Sequence, residues 1–221
     1  MIGIYVKEAD RTWFGLAYTE ERILATVVSS TKEEAVQSLL RNIPHGAEHR
    51  VVDRGSEFAE KTIFMLKELE QGKEESKSFS LATEYIPEPV ARVLKVAAAI
   101  PIGYVTSYGN IAKTAGMEPR AVGRIMATNP LYPIVPCHRV VGADFSLVGY
   151  GGRRNLSALQ AKLARLSKEV KGFTTEKEVL ANGRKLTVYP VEYVIKKAEK
   201  RDLGLSRQRR LFDCIKPSNA L

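Results

Sequence analysis

The chain has 221 residues, of which 44% are hydrophobic and 27% are charged, a composition typical of a water-soluble protein with one large or two small domains. Its two cysteines, Cys137 and Cys214, lie far apart in the sequence, which excludes a disulfide framework and favours a reducing, cytoplasmic environment. The three histidines lack the paired spacing of a structural zinc site, so neither a metal nor another cofactor is expected. The first residues lead straight into charges, unlike a signal peptide, and no apolar run approaches the roughly 18 residues of a membrane span.

The formal net charge of +9 is distributed unevenly along the chain. Residues 1–89 contain 11 Lys and Arg against 16 Asp and Glu, a net charge of −5. Residues 90–170 contain 11 against 3, a net charge of +8, and residues 171–221 contain 12 against 6, a net charge of +6. An acidic part followed by a basic part predicts two domains, with a polyanion bound by the second. A basic face that is merely solvated is the alternative.

The acidic part predicts a small α/β domain over residues 1–80. Stretches rich in β-branched and aromatic residues, at 2–6, 13–17 and 23–28, predict short strands separated by polar turns. Thr31 can cap a helix that runs to about residue 42, and the apolar spacing over 57–69 predicts a second helix. The polar stretch 71–78 is typical of a linker.

The next part, residues 87–170, begins with short helices. An apolar stretch over 90–100 predicts one helix, and "SYGNIAKTAG" (107–116) predicts a second that begins at a serine cap and ends at a glycine. "EPRAVGRIMATN" (118–129) predicts a third. The last two resemble a helix-turn-helix whose second helix exposes Arg120 and Arg124 to DNA phosphates or bases. A generic helical hairpin is the alternative.

Beyond these helices, the pattern alternates between short extended and helical segments. An apolar stretch over 135–141 contains Cys137, and the loop at 142–152 is rich in glycine. Leucine spacing over 155–170 predicts another helix. Residues 171–221 form a basic C-terminal extension with one hairpin signal, Asn182-Gly183, and the run "SRQRR" at 206–210.

The surroundings of Cys137 suggest a reactive thiol. A free cysteine titrates near 8.5, so a nucleophilic one needs positive or hydrogen-bonding neighbours, which His138 and Arg139 offer. Adjacent side chains of an extended segment point to opposite faces, so His138 would reach the thiol only through a bend or a bridging water. Asn129 can tie the preceding loop to backbone groups through its amide. The alternative is a buried cysteine that acts as a small hydrophobe, which fits Cys214 better.

Four segments together resemble a known family. "IPIGYVTSYGNIA" (100–112), "RAVGRIMATNP" (120–130), "IVPCHRVVG" (134–142) and "GYGG" (149–152) are similar, in this order and spacing, to the O6-alkylguanine-DNA alkyltransferases. The resemblance covers residues 89–166 closely. It implies an α+β fold with a ribonuclease-H-like first domain and a catalytic domain of the winged helix-turn-helix type. It also implies a single-turnover DNA repair protein that removes an alkyl group from guanine in duplex DNA.

The resemblance implies roles for individual residues. Cys137 matches the acceptor thiol, and His138 matches the base that activates it through a water. Tyr108 matches the tyrosine that helps to turn the nucleotide out of the helix, a step that chemistry on a stacked base requires. Arg120 matches the arginine that fills the vacated stack, and we expect Arg124 and Arg139 to contact DNA as well.

The same resemblance implies a pocket for the extruded guanine. Asn129 matches a residue that braces the active-site loop, and Met126 and Tyr150 match apolar walls. The backbone N–H of Gly151 is expected to face the guanine oxygen, where charge develops as the base leaves. Backbone carbonyls of Cys137 and Val140 are expected to accept from the exocyclic amine.

One position departs from the family pattern. The family ends its relay with a glutamate that falls near Leu163 or Ala164 in this chain, and Glu169 is the nearest carboxylate.

The competing hypotheses are a non-transferring alkyltransferase-like damage binder, a helix-turn-helix regulator and a cysteine hydrolase. Cys137 argues against the first, and the Pro-Cys-His-Arg segment against the second. The expected partner is double-stranded DNA, bound by a monomer.

Overall fold

The computed structural model describes residues 1–73 and 80–200, which form two mixed sheets and seven α-helices. The expected α+β class is therefore confirmed at the level of a mixed α/β chain. The stretch 71–78 falls mostly outside the described residues, and the run at 206–210 lies entirely outside them. None of the described helices combines the length and the apolar character needed to cross a membrane.

The first sheet has the strand order β4-β1-β2-β3-β5. Its centre is an antiparallel meander of β1 (Ile2–Ala9), β2 (Thr12–Thr19) and β3 (Arg22–Ser29), as the sequence predicts. The edge strands β4 (His49–Val52) and β5 (Ser80–Leu81) run parallel to their neighbours.

Each face of this sheet is covered by one helix, because strand side chains alternate between faces. Alternate residues of β1, such as Ile2 and Ile4, pack on α1 (Lys32–Leu40), while Tyr5 and Leu16 join the core that contains α2 (Glu57–Glu70). Both helices begin as their sequences predict, since Thr31 and Ser56 each accept a backbone N–H of the first turn. The core beneath α2 continues into the second half of the chain.

Three helices and a short strand come next. Helix α3 (Glu88–Ala98) leads into strand β6 (Tyr104–Ser107), which runs directly into α4 (Tyr108–Ala115). Ser107 caps α4, and Gly116 ends it in the left-handed conformation at a φ of 67°. Helix α5 (Pro119–Ala127) follows with a proline in its first turn, as predicted.

The second sheet has the order β7-β6-β9-β8 and is built from distant parts of the chain. Strand β7 (Val140–Val141) pairs with β6, and the predicted hairpin of β8 (Lys177–Ala181) and β9 (Arg184–Pro190) pairs with its other edge. Helix α6 (Leu156–Ser167) and helix α7 (Glu192–Lys200) supply apolar side chains to the same core. Residues after 171 therefore contribute two of the four strands of this sheet.

Candidate active site

Cys137 begins a short 3₁₀ turn, Cys137–Arg139, that leads into β7. This turn corrects the expectation of a continuous extended segment over 135–141, in which His138 would point away from the thiol. Asn129 braces the preceding loop as predicted: its amide donates to the carbonyl of Val135 at 2.7 Å and accepts the N–H of Leu131 at 3.0 Å.

The first sheet also holds this loop. The N–H of Thr26 on β3 donates to the carbonyl of Pro130, and the Thr26 hydroxyl donates to the carbonyl of Tyr132, both at 2.8 Å. The position of Cys137 therefore depends on both halves of the chain.

Behind the thiol, one carboxylate is shared by two neighbours of Cys137. Glu169 Oε1 lies 2.9 Å from His138 Nε2, and Arg139 donates from Nε to Oε2 and from Nη2 to Oε1, both at 2.8 Å. Arg139 Nη1 also donates to the carbonyl of Ile100 at 2.7 Å. Arg139 is only 2% exposed, so the expectation that it contacts DNA is corrected: its side chain is committed to Glu169 inside the core.

The charges of this group follow from burial and pairing. Burial alone would raise the pKa of Glu169, but the contacts with His138 and Arg139 outweigh it and lower that pKa to about 2. Burial lowers the pKa of His138, because it disfavours the charged ring, and the contact with Glu169, which acts in the opposite direction, does not outweigh it. A neutral imidazole facing a carboxylate must donate from Nε2, and among the described residues His138 Nδ1 has no hydrogen-bond partner. His138 is therefore a neutral imidazole whose Nδ1 lone pair is unpaired among the described residues.

The carboxylate that contacts His138 differs from the position at Leu163 or Ala164 that the family resemblance implies. Leu163 is buried in an apolar cluster, and Glu169 reaches His138 from just beyond the C-terminal end of α6. Lys162 on α6 is a buried residue that no sequence pattern indicated.

Lys162 is fully buried and organises the loop after β7. Its ammonium donates to the carbonyls of Val140 at 2.5 Å, Leu147 at 3.0 Å and Gly149 at 3.1 Å. Burial lowers the pKa of Lys162 to about 8. The Val140 carbonyl is thus already bound, so only its second lone pair is available to a guanine amine.

The thiol faces a pocket of about 550 Å³ between α5 and the glycine-rich loop. The pocket unites most of the predicted site residues: Tyr108, Arg120, Arg124, Met126, Cys137, Tyr150 and Gly151. Four predicted residues do not line the pocket and lie behind Cys137: Asn129, His138, Arg139 and Val140. Burial raises the pKa of the Cys137 thiol, whereas the Asn129 amide and the charges of Lys162 and Arg165 act in the opposite direction. The free thiol is therefore the resting form.

A second group, unpredicted from the sequence, joins α2 to α6 beside the pocket. Arg165 pairs with Glu70 and contacts the hydroxyl of Tyr132, which itself donates to Glu70 at 2.6 Å. The guanidinium carbon lies 4.7 Å from the centre of the Tyr132 ring and 5.8 Å from that of Tyr150. We call Glu70, Tyr132 and Arg165 the bridging cluster.

Part of the chain matches a known protein family and its relatives. The model of the family described as "6-O-methylguanine DNA methyltransferase, DNA binding domain" matches residues 88–171. The methylated-DNA–protein-cysteine methyltransferase of Pyrobaculum aerophilum is 60% identical over 53 residues, which are 24% of this chain and 36% of that protein. Its namesake in Mycobacterium leprae is 48% identical over 66 residues, which are 29% and 40% of the two chains. The chain thus spans well under half the length of these relatives.

Solved structures share the fold more widely. The Mycobacterium tuberculosis OGT crystallised in complex with DNA has a TM-score of 0.56 and 26% identity, covering 76% of this chain and 92% of that one. The O6-methylguanine-DNA methyltransferase of Pyrococcus kodakaraensis has a TM-score of 0.54 and 24% identity, covering 76% and 99%, and supports the fold alone. Residues 88–171 thus match the family described as "6-O-methylguanine DNA methyltransferase, DNA binding domain", and the chain shares its fold with these two solved structures.

Proposed function

We propose that this chain is a single-turnover DNA repair protein that transfers an alkyl group from O6-alkylguanine to Cys137. The observation that supports this most strongly is the pocket. It places a free thiol among Tyr108, Tyr150 and arginines, with a neutral histidine behind the thiol. The relatives' names and the DNA complex of a structural neighbour point to the same activity and to duplex DNA as the partner.

The transfer step follows from these groups. The thiol proton passes to His138 Nδ1 through a bridging water, the sulfur forms a bond to the alkyl carbon, and the bond from that carbon to the guanine O6 breaks with its electron pair. The departing guanine takes up a proton, so the thiol proton is formally transferred to the base. Burial and the nearby Cys137 charge raise the pKa of Tyr108 to about 12, which keeps its hydroxyl protonated as a donor.

The finer architecture belongs to this proposal. Helices α4 and α5 act as a helix-turn-helix within residues 87–170, with α5 entering a DNA groove, and residues 1–80 form a ribonuclease-H-like support. Gly151 N–H stabilises the developing charge on the guanine oxygen, and the Cys137 and Val140 carbonyls orient the base. Arg124 contacts the duplex. The protein acts as a monomer inside the cell.

Intact-mass measurement tests the proposal. After incubation with a duplex containing one O6-methylguanine, the wild-type protein should gain one methyl group per chain, and peptide mapping should locate it on Cys137. Cys214→Ala should gain the same mass, whereas Cys137→Ala should gain none while still binding DNA. Binding without any mass gain in the wild type would instead identify a damage-binding protein, and label on Cys214 would contradict the assigned nucleophile.

A further inference from the structure

Two arginines that the sequence analysis did not select lie at the pocket mouth. Arg153 and Arg154 follow the turn after Tyr150, and both line the pocket from its loop side. Arg120 and Arg124 line it from α5. The space above Cys137 is thus bounded by two arginine pairs that belong to different elements.

The turn fixes the backbone of this pair relative to Tyr150. Tyr150 N–H donates to the Arg153 carbonyl at 2.9 Å, and Arg153 N–H donates back to the Tyr150 carbonyl at 3.0 Å. Gly151 and Gly152 between them have φ values of 55° and 74°, which glycine adopts without strain. A Cβ at Gly149 would lie 2.8 Å from the Arg153 carbonyl, so only glycine permits this approach.

The guanidinium groups of this pair are exposed and have no carboxylate partner within residues 1–73 and 80–200. Several other surface cations of the chain are paired: Lys7 with Glu60 at 2.7 Å, Arg22 with Glu84 at 2.7 Å and Lys185 with Glu178 at 2.7 Å. Two adjacent unpaired guanidiniums beside a pocket form a site for an anion, and phosphate oxygens suit their planar donor geometry.

A nucleotide whose base enters the pocket must leave its sugar and phosphates at the mouth. We propose that Arg153 and Arg154 bind the backbone phosphates that flank the extruded nucleotide, and therefore recognise the alkylated strand itself rather than the duplex. Arg120 and Arg124 lie on α5, the helix proposed to enter the groove, and so are expected to act mainly on duplex DNA. This inference rests on the proposed function, which defines the occupant of the pocket.

The strand-specific role can be tested by binding measurements in a Cys137→Ser background, which prevents transfer. In the double variant Arg153→Ala/Arg154→Ala, affinity for single-stranded and duplex O6-methylguanine oligonucleotides should fall by similar factors, roughly tenfold or more. The magnitude of the slope of log affinity against log salt should fall by about 1.8 for duplex and about 1.4 for single strands, as two lost phosphate contacts require. The matched control is Arg50→Ala/Arg54→Ala, which removes two exposed positive charges from the first half of the chain and should leave both affinities nearly unchanged.

The reaction rate with free base and the alkyl uptake of the wild type distinguish failure of the phosphate-binding proposal from failure of the proposed transfer. With Cys137 present, the arginine double variant should react with free O6-methylguanine base at the wild-type rate, and a slower reaction would show that the pair shapes the pocket instead. A loss of duplex affinity alone would show a groove contact and overturn the proposal, as would unchanged affinity for both DNAs. If the wild type takes up no alkyl group but the double variant still loses affinity for both, the proposed transfer fails and the phosphate site stands.

Discussion

At the scale of single residues, Arg120 tests whether the protein turns its target base out of the duplex. A thiol that reacts only with bases that are already exposed would not need this side chain. Arg120 lines the pocket on α5, and an inserted guanidinium recovers part of the stacking energy lost when the guanine leaves the helix, about 1–3 kcal/mol. Arg120→Ala should therefore slow single-turnover repair at saturating duplex by about tenfold or more. Reaction with the free alkylguanine base should remain near the wild-type rate. Equal losses in both assays would show that Arg120 supports the pocket, and weaker binding with an unchanged saturated rate would show a phosphate contact.

Glu169 gives a second prediction at this scale, in the pH dependence of stability. Its folded pKa of about 2 lies below the ordinary 4.5, so its stabilising contribution is present above pH 4.5 and is lost as pH falls toward 2. The pKa of His138 is also lowered, so the unfolded chain binds the extra proton below about 6.5 and acid destabilises the fold further. Urea unfolding should show the wild type losing about 3 kcal/mol through Glu169 as pH falls from 5 to 2.

Glu169→Gln removes the titrating carboxyl, so the variant should be less stable at pH 7 and should lose less stability on acidification. Glu33→Gln, at an exposed position in the first turn of α1, is the matched control and should retain the wild-type pH dependence. Parallel curves for Glu169→Gln and the wild type would contradict the buried, ionised carboxylate.

At the scale of elements, Lys162 connects α6 to the loop that contains Tyr150. Lys162→Met keeps the length of the side chain but leaves the carbonyls of Val140, Leu147 and Gly149 without their donor, and each of the two buried ones, Val140 and Leu147, costs about 1–3 kcal/mol. We expect slower transfer, by roughly tenfold or more, from duplex DNA and from the free base alike, because the pocket wall itself is displaced. Lys168→Met on the exposed end of the same helix should leave both rates unchanged. A defect confined to duplex DNA would show that Lys162 serves DNA binding instead.

The bridging cluster gives the second prediction for elements. Glu70 on α2 and Arg165 on α6 are partly buried, with side chains 16% and 25% exposed. A double-mutant cycle with Glu70→Gln and Arg165→Met should show a coupling free energy of about 1 kcal/mol or more in urea unfolding. The exposed pair Lys61–Glu57 within α2 should show a coupling near zero. Equal coupling in the two pairs would mean that the bridging cluster does not join the elements energetically.

The sequence predicts the helices and turns that depend on interactions between neighbouring residues. Ser107 and Gly116 define α4, and Asn182 with Gly183 defines the last hairpin, because caps and tight turns depend on adjacent residues. The sequence does not predict contacts between residues that lie far apart in the chain. The contact of Glu169 with Arg139, and that of Arg165 with Glu70, depend on how α6 packs against the rest of the chain, and no local pattern encodes that packing.

At the scale of the whole molecule, residues after 171 complete the second sheet, which contains β6 and β7. Strand β9 pairs with β6, the Thr106 hydroxyl donates to the carbonyl of Thr187 at 2.6 Å, and Val191 and Val194 are buried with Val105. A chain truncated after residue 170 should therefore unfold at lower temperature and lose transfer activity with duplex and free base. The control is a chain that ends at residue 200, which retains β8, β9 and α7. Full activity in the shorter chain would show that this sheet folds without its hairpin.

The bridging cluster also has a consequence for how related sequences diverge. Loss of Glu70 alone leaves a partly buried cation against two aromatic rings, and loss of Arg165 alone leaves a carboxylate facing the Tyr132 hydroxyl. Because each single change costs more than the joint change, evolution should replace the two residues together. In a set of close homologues, positions 70 and 165 should therefore vary as a correlated pair, although they lie in opposite halves of the chain.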